Sequence, residues 1–375
     1  MPVHPVVKAD AYGHGAVDVA WALAAAGVDG YCVATADEAL QLRDARIRGS
    51  VLVLYPVPAA MAPELARRRI AVTAGDLDLL ASLAGAADGP RRLGVHLEVE
   101  TGLGRGGVRE ADLARAADLI AGAPGLRLAG LWTHLQAPED AALTARQLDR
   151  FDAATIALRR AGHRLRIRHV AASGGLLLGN AAALDGIRPG LTVYGLVPDE
   201  LLGRDVPGGR RLRPVMSLHA RPVRVVELPA GWGIGYGPSF VTARPSRIAT
   251  LPLGYGDGWP RTLSNRAAAI VRGHRVPLVG SVAMDAVMAD VSDVPGPPVT
   301  VADELVLLGS QGGESITAAE LATARSTISW EVVTAMAARL PRVYHAPSGA
   351  QGIRTLVSRP GPTIDAATRR RISRS

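Results

Sequence analysis

The chain has 375 residues, 48% of them hydrophobic and 20% charged, and one cysteine, Cys32. That apolar fraction excludes a disordered chain, the lone cysteine excludes a disulfide framework, and no apolar run approaches the roughly 18 residues of a membrane span. A formal charge of +8 raises nucleic acid as a partner, but aromatics are only 4% and four positive charges sit in the tail Arg369-Arg370-Arg371-Ile372-Ser373-Arg374-Ser375, so base stacking has little to work with and no nucleic acid is expected.

The opening MPVHPVVKADAYGHG lacks the basic start and long apolar run of a signal peptide, and with the cysteine usage it implies a cytoplasmic protein. Apolar runs at 3–7, 30–34, 51–55, 70–73, 93–99, 128–134, 167–171 and 186–191 read as strands. Segments between them, such as 16–26, 37–45 and 111–121, repeat apolar residues at three- and four-residue spacing and read as helices. Strand–helix alternation predicts a parallel sheet, and eight such strands predict a closed (β/α)8 barrel over residues 1–197. Pro5 lies inside the first strand, where it removes an N–H. Residues 198–214 are polar and rich in Gly and Arg, and read as a linker. Short β-branched runs at 218–228, 246–253, 267–279, 286–291 and 304–308, with one or two helices in 316–340, predict a mostly-β domain over 215–358. The basic tail 359–375 is expected to be disordered.

One count stands out. Among 42 basic side chains there is a single lysine, Lys8. Arginine replaces lysine as a charge, but not as a nucleophile that condenses with an aldehyde or as a titrating base. Lys8 closes the first predicted strand, and the C-terminal ends of barrel strands carry the active site.

KADAYGHG around Lys8 resembles the cofactor-binding motif of the alanine racemase family, which uses pyridoxal phosphate. The resemblance continues through VETGLGRGG around Arg105, LWTHL around His134, RPGLTVYGL from Arg188, GIGYG around Tyr236, PLGYGDGWPR around Tyr255 and SVAMD ending in Met284-Asp285. It implies that Lys8 holds pyridoxal phosphate and acts as one base of a two-base racemisation, with Tyr236 as the other. A phenol is a poor base at neutral pH unless cations lower its pKa, and His134 and Arg188 are implied members of a hydrogen-bonded relay. Arg188 also resembles the partner of the pyridine nitrogen. Because arginine cannot accept that ring's proton, the ring stays largely unprotonated. The phosphate is expected on the backbone of Gly190 and Leu191 and the hydroxyls of Tyr12 and Ser173. Arg105 and Met284 resemble substrate-carboxylate positions, and Tyr255 with Asp285 an entrance. Tyr236, Tyr255 and Met284 would come from a second subunit, which implies a homodimer. Alanine is the implied substrate, D-alanine for peptidoglycan precursors the implied product, and no metal is expected.

Four positions depart from the family pattern. The chain starts seven residues before Lys8, where the family has a preceding helix and strand; a misplaced start codon and a barrel without that cover are the two alternatives. Glu98 stands where many members carry a lysine that becomes carbamylated, and offers a carboxylate to Arg105 outright. Trp330, in STISWEV, replaces a tyrosine near the phosphate, and indole donates one hydrogen bond but accepts none. Ala172 replaces an asparagine. The alternatives are a racemase of another small amino acid such as serine, a cofactor-binding homologue with little turnover, a basic amino-acid decarboxylase, and a barrel hydrolase using Glu98 and Glu100. The decarboxylase would want an acidic partner for the pyridine nitrogen and a cysteine outside the second strand.

Overall fold

Six strands lie side by side, parallel and in chain order: β1 (Gly30–Val33), β2 (Ser50–Val53), β3 (Ile70–Ala74), β4 (Leu93–Glu98), β5 (Leu126–Trp132) and β6 (Arg168–His169). The computed structural model describes residues 1–179, 182–346 and 349–358, which form two units, Met1–Leu212 and Arg213–Ser358; the predicted disordered tail lies outside them. Two extended segments close the first unit's ring. Val6 bridges Cys32 in β1, Val3 bridges Ile187, and Gly186 bridges His169 in β6, all parallel. Residues 3–7 and 186–189 are therefore the first and last of eight staves, as the sequence predicts. They form bridges rather than long ladders for a covalent reason. Cys32 N–H donates to Pro5 and Val7 N–H returns to Cys32, but Pro5 has no N–H of its own to give β1.

Three of the helices between the staves start on side-chain caps. Thr35 and Glu38 form a capping box at Ala36–Asp44, Asp76 caps Leu77–Ala86 and Asp140 caps Ala141–Arg160. Each such cap is worth about 1 kcal/mol. The helices cover the ring with Leu42, Leu65, Leu80, Leu83, Phe151 and Leu158, all fully buried. Residues on β1 are buried on both faces, which is why the strand reads as an unbroken apolar run rather than an alternation.

The segment expected as a linker does not run free up to residue 212. Leu201 and Val206 are buried against Leu177 in the first unit, and the short turns Asp199–Leu201 and Gly209–Arg211 fold around them. Two apolar anchors suffice to dock an otherwise polar stretch.

The second unit is an antiparallel sheet in the order β14–β13–β10–β11–β12–β9–β8, with β7 also pairing β13. These strands are β7 (Leu218–Ala220), β8 (Arg224–Leu228), β9 (Ser246–Leu251), β10 (Ala268–Val271), β11 (His274–Val279), β12 (Val287–Asp290), β13 (Leu305–Gln311) and β14 (Glu314–Ile316). The run 218–228, expected as one strand, is two, with Pro222 in the break. The run 267–279 is a hairpin that turns at Arg272-Gly273, whose φ values of 50° and 77° suit a two-residue hairpin loop. Helices Ala318–Arg325 and Ser329–Thr334 follow, and β15 (Arg342–Ala346) and β16 (Gly349–Arg354) form a terminal hairpin. Among the described residues no helix is long and apolar enough to cross a membrane.

Candidate active site

Lys8 leaves the first stave and the backbone at once turns left-handed. Ala9, Asp10, Ala11 and Tyr12 have φ of 52°, 53°, 55° and 52°. For non-glycine residues this costs roughly 1–2 kcal/mol each, so neighbours must hold the turn in place. Glu38 does much of this. One of its oxygens accepts Ala9 N–H at 2.6 Å, while the other accepts Ala34 and Thr35 N–H at 2.7 and 3.2 Å. The same carboxylate thus closes the capping box and ties the lysine's turn to the end of β1. Asp10 accepts Ala16 N–H at 2.7 Å, and His14 Nδ1–H donates to the Ala11 and Tyr12 carbonyls, 2.9 Å each. Glu38 was not singled out in the sequence, although Thr35-x-x-Glu38 is a legible capping signal. The capping pattern does not reveal its second use.

Burial lowers the Lys8 pKa, and the nearby Arg105 guanidinium lowers it further, against Glu38. Arg105 lies 3.8 Å from Glu98, and its guanidinium sits 5.7 Å from the Tyr55 ring centre. Burial raises the Glu98 carboxyl, with Arg105 opposing. Glu98 and Arg105 are therefore paired as expected, though beyond hydrogen-bond distance. Glu100 is spent elsewhere: it accepts the N–H groups of Gly102 and Gly104. It builds the glycine loop and leaves no carboxylate pair for a hydrolase.

Tyr12, Ser173, Gly190 and Leu191 converge. Ser173 Oγ accepts Gly190 N–H at 2.9 Å and Thr192 N–H at 3.3 Å. A Cβ on residue 190 would lie 2.8 Å from the Tyr12 hydroxyl, so only glycine leaves that space open. Tyr12 packs on Tyr194, ring centres 5.0 Å apart, and burial pushes its phenol up to about 12.

Arg188 is 2% exposed. It donates to the carbonyls of His169 (2.8 Å), Thr133 (2.9 Å) and Val170 (3.2 Å) and to His169 Nδ1. It also lies 4.6 Å from the Trp132 ring centre. Arginine only donates, so His169 Nδ1 accepts. His169 Nε2 then carries the proton and donates to His96 Nδ1 at 2.8 Å. Burial, with His4, Arg127 and Arg188 adding to it, holds His96 neutral, down to about 3, and burial with Arg188 holds His169 well below its ordinary value. His134 is also held neutral, at about 3, by burial and by Arg188, Arg105 and Lys8. It is not a partner of the Arg188 guanidinium, whose hydrogen bonds run to His169 and to main chain. The sequence reading did not single out His169. The signal for His96 was present: it shares the interior face of β4 with Glu98 at two-residue spacing.

The remaining candidates lie on the second unit. Tyr236 is 75% exposed, Met284 52% and Tyr255 43%. Arg339 donates to Asp257 at 2.7 Å and to Asp285 at 2.6 Å, which fixes Asp285 close to the Tyr255 turn, where Gly256 N–H donates to the Met284 carbonyl at 2.9 Å. Trp330 is half-buried in the helix Ser329–Thr334.

Comparison with known proteins gives the same assignment from both halves. Residues 1–198 match the alanine racemase N-terminal domain and residues 215–344 the alanine racemase C-terminal domain. The alanine racemase of Symbiobacterium thermophilum is 42% identical over 347 residues, 90% of this chain and 89% of that protein. That of Sorangium cellulosum is 40% identical over 354 residues, 91% of each. The crystal structure of the Bacillus anthracis alanine racemase with bound L-Ala-P superposes with a TM-score of 0.89 at 31% identity, covering 95% of this chain and 91% of that one. The chain belongs to the alanine racemase family.

Proposed function

We propose that this chain interconverts L- and D-alanine using pyridoxal phosphate, with Lys8 and Tyr236 as the two bases. The observation that carries the reading is the only lysine of the sequence, held at the end of a barrel stave by a strained, tethered turn. The residues present fit the cofactor. Gly190 keeps open a space beside the Tyr12 hydroxyl that a Cβ would fill, and the hydroxyls of Tyr12 and Ser173 beside it suit a phosphate. Tyr12, Ser173, Gly190 and Leu191 would hold that phosphate, and Arg188 would donate to the ring nitrogen. When bound, the cofactor draws electrons from the amino acid's Cα–H bond and makes that proton removable.

The chain's own groups then move the proton. Burial and Arg105 favour the neutral amine of Lys8, the form that accepts a proton from Cα on one face. Tyr236 would serve the opposite face. Its exposure, like that of Met284 and Tyr255, supports a homodimer in which these residues complete the partner's site. Arg105 would steady the substrate carboxylate, with Glu98 orienting it, and Met284 would offer its N–H to the same group. Asp285 is anchored by Arg339 at the entrance that Tyr255 would line. Trp330 would limit the room beside the phosphate. A cytoplasmic location, where L-alanine and cell-wall precursors meet, suits this activity.

The test is direct. Borohydride added to the cofactor-loaded protein should fix the cofactor covalently, and proteolysis should place it on the Lys8 peptide. In Lys8→Ala the label should vanish from side chains, leaving the α-amino group as the only amine. Chiral chromatography with L-alanine and L-serine should show faster racemisation of alanine. A label on any other peptide, or serine as the better substrate, would overturn the reading.

A further inference from the structure

At the opposite end of the barrel, where the strands begin, a cavity of about 540 Å³ opens. That is within the range of small-molecule sites. Its floor is Cys32, His169 and Arg188, all buried, with half-buried His96 beside them. Its rim carries four arginines, Arg69, Arg91, Arg92 and Arg127. They come from the loops and strand starts at β3, β4 and β5, so the barrel topology alone gathers them.

Their charge is not offset by pairing. Several other arginines of the same unit do have partners: Glu64 for Arg67 and Arg68, Asp185 for Arg168, four carbonyls for Arg43. Among the described residues no carboxylate pairs with the guanidinium of Arg69, Arg91, Arg92 or Arg127. One carboxylate lines the cavity, Asp29, and one of its oxygens accepts Val3 N–H at 2.8 Å. Like charges therefore converge on a concave surface with little to offset them. Arg127 feels Arg166 and Arg92 in particular.

A second observation is independent of charge. Arg127 folds inward across β4, and a Cβ on residue 94 would stand 2.9 Å from its Nη2 and 3.2 Å from its Cζ. Gly94 lines the cavity and is the residue that makes room for the guanidinium there. No tyrosine, phenylalanine or tryptophan lines the cavity, so it has no platform for a nucleobase.

We propose that this mouth of the barrel is a binding site for a small, multiply charged phosphate compound, distinct from the cofactor cradle at the other end. Guanidinium forks match phosphate oxygens in pairs, and several forks on one rim suit an anion with more than one phosphate. Pyrophosphate is the probe, titrated calorimetrically into the full-length, cofactor-loaded protein so that the cradle is already filled. One saturable site per chain is expected, weakening as salt rises. Arg127→Met and Arg92→Met should each weaken it about tenfold or more while racemisation of alanine is kept, which shows that both variants are folded. Gly94→Ala should weaken it as well, by displacing Arg127. Citrate, of similar charge, should bind less tightly. Absence of saturable binding, equal affinity in both arginine variants, or tighter binding of citrate would overturn the proposal.

Discussion

Tyr236 and Glu98 are single residues whose roles can be separated from folding. Tyr236 is largely solvent-exposed, so Tyr236→Phe removes one hydroxyl without opening a cavity. Racemisation should fall in both directions, by about 100-fold or more, the usual worth of a positioned acid–base group. Exchange of the α-proton of D-alanine with deuterated water should outlast exchange from L-alanine. Equal loss from both enantiomers would mean that Tyr236 does not serve one face. Glu98 is a subtler case. Its 3.8 Å separation from Arg105, whose side chain is 42% exposed, is the geometry of a screened ion pair worth about 0.5–1 kcal/mol. Glu98→Gln keeps the shape and removes that charge. The KM for alanine should rise about two- to fivefold with kcat nearly kept, and neither form should respond to added bicarbonate, because a carboxylate needs no dissolved carbon dioxide to exist. Unchanged KM would show that another group orients Arg105.

The left-handed turn after Lys8 makes a prediction of unusual sign. Glycine substituted into a right-handed helix costs about 1 kcal/mol against alanine. Ala9 is exposed and has φ of 52°, where glycine escapes the steric penalty. Ala9→Gly should therefore be neutral or stabilise by about 0.5–1 kcal/mol, the strain relieved less the extra chain entropy, read from urea midpoints at constant m. A loss of about 1 kcal/mol would contradict the left-handed geometry. This turn also marks where the sequence stops being legible. The eight staves follow from apolar runs, and Lys8, Arg105 and Arg188 follow from motifs, because both are local patterns. Nothing in KADAY announces four positive φ values. The turn exists because Glu38, 29 positions away from Ala9 in sequence, and the His14 ring hold it, and such contacts are made only in the closed barrel. The partnership of Arg188 with His169 was hidden for the same reason, since strand periodicity tells which residues face inward but not which of them meet. The docking of residues 198–212 was missed because composition averages over Leu201 and Val206, the two side chains that decide it.

Over the whole barrel, burial governs the titration of the interior histidines, and one buried charge adds to it. Arg188 is buried and stays protonated even though burial draws its pKa down to about 10. Burial, with Arg188 adding to it, keeps the interior imidazoles from taking a second proton: His96 and His134 fall to about 3, His169 falls well below 6.5, and His4 is lowered as well. Unfolded, these histidines return to an ordinary pKa near 6.5. Between that value and the folded one, the unfolded chain binds more protons than the folded chain, so stability is full above about pH 6.5 and is lost as pH falls toward 3. Each histidine contributes a slope of up to about 1.4 kcal/mol per pH unit in that window. The paired carboxylates Asp185 and Asp303 also lose stability in acid, but only below their ordinary value of 3.8, so the decline from pH 6.5 to 5 belongs to the histidines. Thermal melts of the full chain should show Tm falling steadily over that interval, and unfolding at pH 5.5 should take up protons from the buffer. His96→Asn should flatten the slope by about one proton, whatever it does to Tm at pH 7.5. A Tm that stays level from pH 7 to 5 would mean that these rings are already charged in the folded barrel, and that burial does not hold them neutral.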